Sequence, residues 1–450
     1  MGTLYIDTGG AATNSGTTDG NTATISGVGA TVAGSVVTLP AGTDLSGVVT
    51  AAGPTQSAIY LNDATNANMK IFWATATADS GGAAPNITVS VAPTGVVASS
   101  WAVGGRYAAP AGNGLNLLDG ALRAGDIVTI NNSPATATVD WVTCRTAGTS
   151  AAGFIKLKGV TGTRPVVTVS NTTQCLDCAD IALWWFENLE CAQQGASGNA
   201  CRALGNGTVA YNLKVSDAGA VGIEFPNNAG LCVASEVSGT GTIGISIAGS
   251  GTVVKANYIH DNTLVGIQNS GAATYTLLLQ NIIDTCTGKG VNDSGAPTTS
   301  ANRLILEGNT VYGCGDSGLE VADIDRQTLV TNNIFSENGN AAGEYNVEWL
   351  AGTAELIGFH GWNVFYHSGG GGGANLSGLT VNAQVASSEF TTDPGFTDAA
   401  GGNFAISSTS PAKASGYPGV FLGGSTGYLD IGAVQRQEAG GGGGQRVIGG

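Results

Sequence analysis

Two kinds of residue recur in step along the second half of this chain, and no other feature restricts its fold as strongly. A short pattern of Gly, apolar, polar, apolar appears as VGIEF (Val221–Phe225), IGISI (Ile243–Ile247), VGIQN (Val265–Asn269), KGVND (289–293) and SGLEV (317–321). Its glycine falls at 222, 244, 266, 290 and 318. A slipped copy, EYNVEW, places Glu344 in the glycine position, with Tyr345 and Val347 pointing where Leu319 and Val321 point. The intervals are 22, 22, 24, 28 and 26 residues. In phase with them, Asn188, Asn212, Asn257, Asn281, Asn309, Asn333 and Asn363 each precede a short strand such as NYIHDN or NTVYGC.

A repeat of 20 to 30 residues built from strands and turns, with no helix in the unit, predicts a parallel β-solenoid in which each turn of chain adds one rung. One rung cannot bury its apolar face alone. Stacking therefore predicts an internal ladder of Ile223, Ile245, Ile267, Val291, Leu319 and Tyr345, about 4.8 Å apart per rung. Five residues after the recurring Asn come Asp217, Asn262, Cys286, Cys314 and Asn338, a further column in which Cys286 and Cys314 read as stacked core residues.

Composition agrees with an all-β chain and excludes several classes. Charged residues make up 11%, against roughly 25% in an ordinary soluble domain, so long ion-paired helices and coiled coils are excluded. Disorder is excluded as well, because 42% of residues are hydrophobic and the mean hydropathy is +0.15. The net charge of −16 gives nucleic acid no clustered basic surface to bind. No run of about 18 apolar residues is long enough for a helix to span a membrane. The start, MGTLYID, lacks the basic and apolar regions of a secretory signal, and Ile6 stands where a myristoylation motif needs Ser or Thr. The expectation is synthesis in a cytoplasm without export. The segment LNLLDGALR (115–123) has the one clear helical pattern, about two turns long.

These landmarks resemble the right-handed parallel β-helix proteins of the pectate-lyase-like superfamily over about residues 121–435. LNLLDGALRAGDIVTIN looks like the N-terminal capping helix and first strand of that fold, and GTSAAGFIKLKGV (148–160) is similar to an early rung. SPAKASG (410–416) and DIGAVQ (430–435) resemble its closing rung. The resemblance implies a fold and no activity, since this solenoid carries lyases, hydrolases, epimerases and inert fibres. Ahead of it, strands such as VVTLPAG and MKIFWATAT suit a small antiparallel β domain, similar to segments that precede β-helices in bacteriophage virion proteins. The expected organisation is a small β domain over 1–110 that anchors to the virion, a right-handed parallel β-helix over 111–437, and a Gly-rich C-terminal arm over 438–450.

Candidate chemistry is sparse. Glu224 and Glu320, in the outward column, lie four rungs or about 19 Å apart, too far for the carboxylate pair of glycoside hydrolysis. Asp316, Glu320, Asp323 and Asp325, with Arg326, form the richest acidic cluster and are weak catalytic candidates, since a plain solvated turn accounts for them better. His260 and Asp261 adjoin, but neighbouring strand residues point to opposite faces, so they are not expected to act together. Trp349 to Tyr366 is rich in aromatics able to stack on sugar rings. Cys175, Cys178, Cys191 and Cys201 read as buried free thiols rather than a zinc site, and no cofactor or metal is expected. Glycine runs such as Gly369–Gly373 lack the Lys-Ser/Thr of a phosphate-binding loop.

The function expected from these readings is that of a structural virion protein of a tailed bacteriophage, a capsid decoration, fibre or spike on the particle surface. Its expected partners are other capsid or tail proteins and copies of itself, a trimer being common for such proteins, with a host surface glycan as a further partner. The alternative is a tailspike-type enzyme that binds or depolymerises polysaccharide, a lyase or glycoside hydrolase.

Overall fold

A computed structural model describes residues 3–7, most of 25–117 and most of 125–435. Residues 8–24, 118–124 and 436–450 lie outside the described residues, as do 322–326, 340–343, 351–357, 370–375, 378–388 and 418–429. The chain forms two compact units, Met1–Lys214 and Val215–Gly450.

In the first unit, short β-rich segments pair antiparallel. Ala58–Asp63 lies between Asn68–Ala78 and Val96–Val103, and Val36–Thr38 lies between Thr31–Ala33 and Asn86–Val89. They enclose a core that includes Val37, Ile59, Leu61, Phe72, Ile87 and Trp101. The later strands stack in parallel: Ile127–Asn131, Ile155–Gly159, Trp184–Glu187 and Val209–Tyr211 follow one another at one-rung steps. Thr3–Asp7 joins this stack beside Ile127–Asn131, also in parallel. The expected helix over 115–123 is not formed in its described part. Gly114–Leu117 is a strand, paired in parallel with Thr138–Cys144 and Asn68–Ala78. Two turns of helix are too short to be stable by themselves, so a ladder that satisfies the backbone on both sides prevails.

The second unit is a parallel β-solenoid with three ladders. One runs from Val221–Phe225 through Ile243–Ile247, Val265–Asn269, Val291–Asp293, Leu319–Val321 and Val347–Trp349 to Leu376–Ser377. A second begins at Leu231–Val233 and ends at Gly358–Gly361. The third has strands of three residues, Glu236–Ser238, Tyr258–His260, Ile282–Asp284, Thr310–Tyr312, Ile334–Ser336 and Val364–Tyr366.

Ile223, Ile245, Ile267, Val291 and Leu319 stack in register and are fully buried, and Cys286 and Cys314 are buried beside them. The next rung corrects the sequence reading: Val347, not Tyr345, follows Leu319, so Asn346 rather than Glu344 takes the glycine place and Glu348 rather than Asn346 faces outward. EYNVEW permits either register, and the observed one lets the buried Asn346 accept a hydrogen bond from Asn338 Nδ2 at 3.0 Å. The glycine column itself is set by close approach. A Cβ on Gly266 would stand 2.6 Å from Ile283 Cγ2 and 2.7 Å from the Gly290 carbonyl oxygen.

Each rung turns sharply at two left-handed residues that flank the three-residue strand. Ala234, Ala256, Gln280, Gly308, Asn332 and Trp362 form the first series, and Asp217, Gly239, Asp261, Thr285, Gly313 and Glu337 the second. Asn188 and Asn212 also have positive φ, of 56° and 53°, and each is followed by a buried Leu. They are corner residues, one place ahead of the column that Asn257 begins, and Asp217 is likewise a corner residue rather than a counterpart of Asn262. Asn and Asp tolerate the left-handed region better than other side chains, which is why the sequence alone does not separate the two positions.

Near the C-terminus, Phe396–Asp398 and Asn403–Ile406 form an antiparallel hairpin. Ile406, Ala412 and Ile431 pack on Ile334 and Val364. The segments expected to form a closing rung are turns, not strands, where they are described.

Candidate functional site

In each three-residue strand the middle side chain faces the core and its neighbours face out. Val237, Ile259, Ile283, Val311, Phe335 and Phe365 are buried accordingly. The outward residues bring Glu236, Tyr258, His260 and Asp284 onto one face over three successive rungs.

The second corner adds Asp261. Its φ of 53° ends the strand, so the alternation that would send His260 and Asp261 to opposite faces does not apply. His260 Nδ1 lies 2.8 Å from Asp261 Oδ2, and Glu236 Oε1 lies 3.6 Å from His260 Nε2. The imidazole stacks on the Tyr258 ring at 4.2 Å between centroids. The Tyr258 hydroxyl donates to Asp284 Oδ2 at 3.1 Å, and the Thr285 hydroxyl donates to Asp261 Oδ1 at 3.0 Å. Asp284 is 6% exposed and its Oδ1 is buried without a hydrogen-bond partner, whereas the Asp261 side chain is 66% exposed.

These surroundings drive the two aspartates apart. Burial pushes the Asp284 carboxyl up to about 6, against weaker opposing effects of the Tyr258 hydroxyl and His260. The hydrogen bond from His260 holds Asp261 below its ordinary value. Burial disfavours the His260 cation, but Glu236 and Asp261 outweigh it and hold the imidazole above its usual value. Below about pH 6 a protonated carboxyl therefore stands beside a carboxylate, the arrangement from which acid and base roles follow. Gly239 and Gly313 occupy the same rung position as Asp261, and this was the signal in the sequence for a left-handed corner there.

The predicted cluster is arranged differently. Asp323 and Asp325 lie outside the described residues. Asp316 Oδ1 accepts the Ser317 backbone N–H at 2.7 Å, closing a turn. Glu320 is 7% exposed, with Oε1 2.6 Å from Lys289 Nζ, and it stands beside Glu348, which accepts the Ser317 hydroxyl at 3.0 Å. Glu224 lies at the far end of the same column. In the aromatic region Trp349 is buried, and the Trp362 and Tyr417 rings pack at 4.4 Å between centroids with a tilt of 34°. Cys175, Cys178, Cys191 and Cys201 are buried and unpaired by disulfides, with the last two sulfurs 3.8 Å apart. Among the described residues no group of three or more His, Cys, Asp or Glu could hold a metal ion.

Residues 200–352 match the family described as right handed beta helix region. No curated protein matches the sequence. Among solved structures, pectate lyase Pel9A is similar with a TM-score of 0.51 at 13% identity, over 70% of this chain and 89% of that one. The full-length tailspike protein 2 from Escherichia coli O157:H7 bacteriophage CAB120 is similar with a TM-score of 0.37 at 11% identity, over 75% of this chain and 49% of that one. The Dettilon tailspike protein gives 0.33 at 12% identity, over 62% and 56%. The chain thus spans about half the length of these two tailspikes. The family match over residues 200–352 and the similarity to pectate lyase Pel9A show a right-handed parallel β-helix fold.

Proposed function

We propose that this protein is a structural component of a tailed bacteriophage particle, a β-helical capsid decoration, fibre or spike exposed on its surface. The observation that supports this reading is the unbroken amide ladder from Asn257 to Asn363 inside the parallel rungs. It ties successive rungs through side chains as well as backbone, which suits a stiff, protease-resistant body better than a mobile catalytic one. In this reading residues 1–110 anchor the chain to other virion proteins and residues 111–437 form the body. Copies of the chain assemble in a homo-oligomer such as a trimer. The test is mass spectrometry and electron microscopy of purified particles. Stoichiometric, symmetric copies on a head or tail support the proposal, and absence from particles overturns it.

A second reading, a polysaccharide-depolymerising spike, is favoured by Asp284 and Asp261 on adjacent rungs with opposite proton affinities. Glycoside hydrolysis uses such a pair, one carboxyl to protonate the leaving oxygen and one carboxylate opposite it. Release of reducing ends from host envelope polysaccharide, lost in Asp284→Asn, would support it. Equal release by the variant would remove these two residues from the reaction.

A further inference from the structure

The outer face of the second ladder carries an unbroken apolar stripe. Leu231, Val253, Leu277, Ile305, Leu329 and Phe359 stand in register on successive rungs, at the outward place in each strand. Each is partly exposed, whereas the residues that follow them, such as Val254 and Leu306, are fully buried. The outside of this solenoid is not apolar by default, since the outward column of the first ladder runs Glu224, Ser246, Gln268, Asn292, Glu320 and Glu348. Where apolar side chains face out on the third ladder, the chain covers them: Ile334 and Val364 are 1% and 0% exposed beneath Ile406, Ala412 and Ile431. The stripe on the second ladder keeps its exposure, so its cover comes from another molecule.

We propose that this stripe is the face on which two copies of the chain pair, packed back to back about a two-fold axis that runs along the strand Tyr275–Leu279. The inference names a face for the self-association of the particle reading, and it stands or falls on the purified protein, whether or not the chain is found on particles. The charge pattern selects a second copy and this orientation. With a net charge of −16, two copies repel unless they meet through uncharged surface, and the stripe has no charged residue. At its rim Lys255 and Glu307 are exposed on one outward row, a rung to either side of Leu279. Among the described residues neither takes part in an ion pair. The two-fold keeps each row facing itself and reverses the order of the rungs. It sets Leu277 against its own copy, Val253 against Ile305 of the partner subunit, and Lys255 opposite Glu307 of the partner subunit at both ends of the contact. A parallel arrangement of the same rungs would instead place Lys255 on Lys255 and Glu307 on Glu307. Sheets packed face to face lie about 10 Å apart, a gap that a Lys and a Glu side chain span together.

The size of the stripe sets the strength of the contact. Its rungs cover about 24 Å along the solenoid and its strands about 16 Å across, a footprint of about 400 Å² per copy. That falls in the class of weak and transient interfaces, with an apolar centre and a polar rim. Monomer and pair should therefore exchange at micromolar concentration. The two-fold also fixes the stoichiometry at two, because one partner uses up the whole stripe and leaves no second face for a third copy.

The test is sedimentation velocity of the full-length protein from about 1 to 200 µM. The mass should rise with concentration from that of one 44.6 kDa chain toward twice that value. Leu277→Gln combined with Ile305→Gln should weaken association by about 10-fold or more, with folding checked by circular dichroism. Lys255→Glu alone and Glu307→Lys alone should each weaken it by about 3- to 10-fold. The two together should restore it, because the swap rebuilds both ion pairs across the axis. A monomer at every concentration overturns the pairing and leaves the stripe to a different protein. An oligomer of another order, or one that the stripe variants do not weaken, overturns it as well. If the two glutamines disturb the rungs themselves, the charge swap decides, and a double variant that does not recover association overturns the two-fold.

Discussion

Asn281 Oδ1 accepts both donors of the residue one rung before it, the Asn257 backbone N–H at 3.1 Å and the Asn257 side-chain amide at 2.9 Å. The same double acceptance links Asn309 to Asn281, Asn333 to Asn309 and Asn363 to Asn333. Each amide also donates to a carbonyl, as Asn281 does to Val254 at 2.8 Å. The ladder meets the hydrogen-bonding needs of buried backbone at a corner where strand pairing is interrupted.

Asn281→Ala should therefore be costly. It strips two donors on Asn257 of their acceptor and leaves the Val254 carbonyl without its donor, and each buried unmet group costs about 1–3 kcal/mol. Asn228→Ala, at an exposed turn where Oδ1 accepts from Ser250, should cost under about 1 kcal/mol. Urea midpoints compare the two, and similar losses would show that the ladder does not hold the rungs together.

Ile245→Asp places a carboxylate in the middle of the apolar column, at a position with no exposure. The solenoid should lose its cooperative transition or melt far lower, because an unpaired buried charge has no compensation. Gln268→Ala, on the outward side of the next rung, removes one exposed hydrogen bond to Ser294 and should shift melting by a degree or two at most. Equal shifts in calorimetry would invert the assignment of inside and outside.

The solenoid was legible because its constraints are periodic. Ile223, Ile245, Ile267, Val291 and Leu319 share one environment, and so do the glycines before them, so the same residue types return at each turn. Legibility failed where a rung solved the same problem with another residue. Asn346 replaces the glycine of the other rungs, and a search for Gly-like spacing misplaced Tyr345 by two positions. It failed again at Asp261, where a rule for strands was applied to a corner residue. Asp284 is His260 or Tyr312 on the adjoining rungs. Its raised proton affinity comes from burial beside Tyr258 and Tyr312, which no local pattern encodes.

Gly266→Ala tests close packing without changing polarity. The added methyl would meet Ile283 Cγ2 at 2.6 Å, the Gly290 carbonyl oxygen at 2.7 Å and Cys286 Sγ at 3.1 Å. Backbone on the next rung cannot retreat without breaking its ladder, so a loss of about 1–3 kcal/mol is expected from overpacking. Denaturant titration would show it, and an unchanged midpoint would mean that the rungs are looser than these distances require.

Thiol labelling separates a core role for the cysteines from a reactive or metal-binding one. All eight are buried and free of disulfides. Burial pushes the Cys232 thiol up to about 12, and the neighbouring thiol of Cys201 together with burial raises Cys191 well above its ordinary value. Since the thiolate is the nucleophile, these groups should be inert at pH 8 even to a small reagent that reaches them. The expected result with a maleimide, read by intact mass, is no adduct on the native protein and eight on the unfolded one. Rapid labelling of one or two sites in the native state would place those thiols at an accessible surface. Bound zinc released in step with labelling would reassign Cys175, Cys178, Cys191 and Cys201 as ligands. If neither is seen, the cysteines act as small apolar side chains, as Cys286 and Cys314 do where they pack against the glycines of the neighbouring strands.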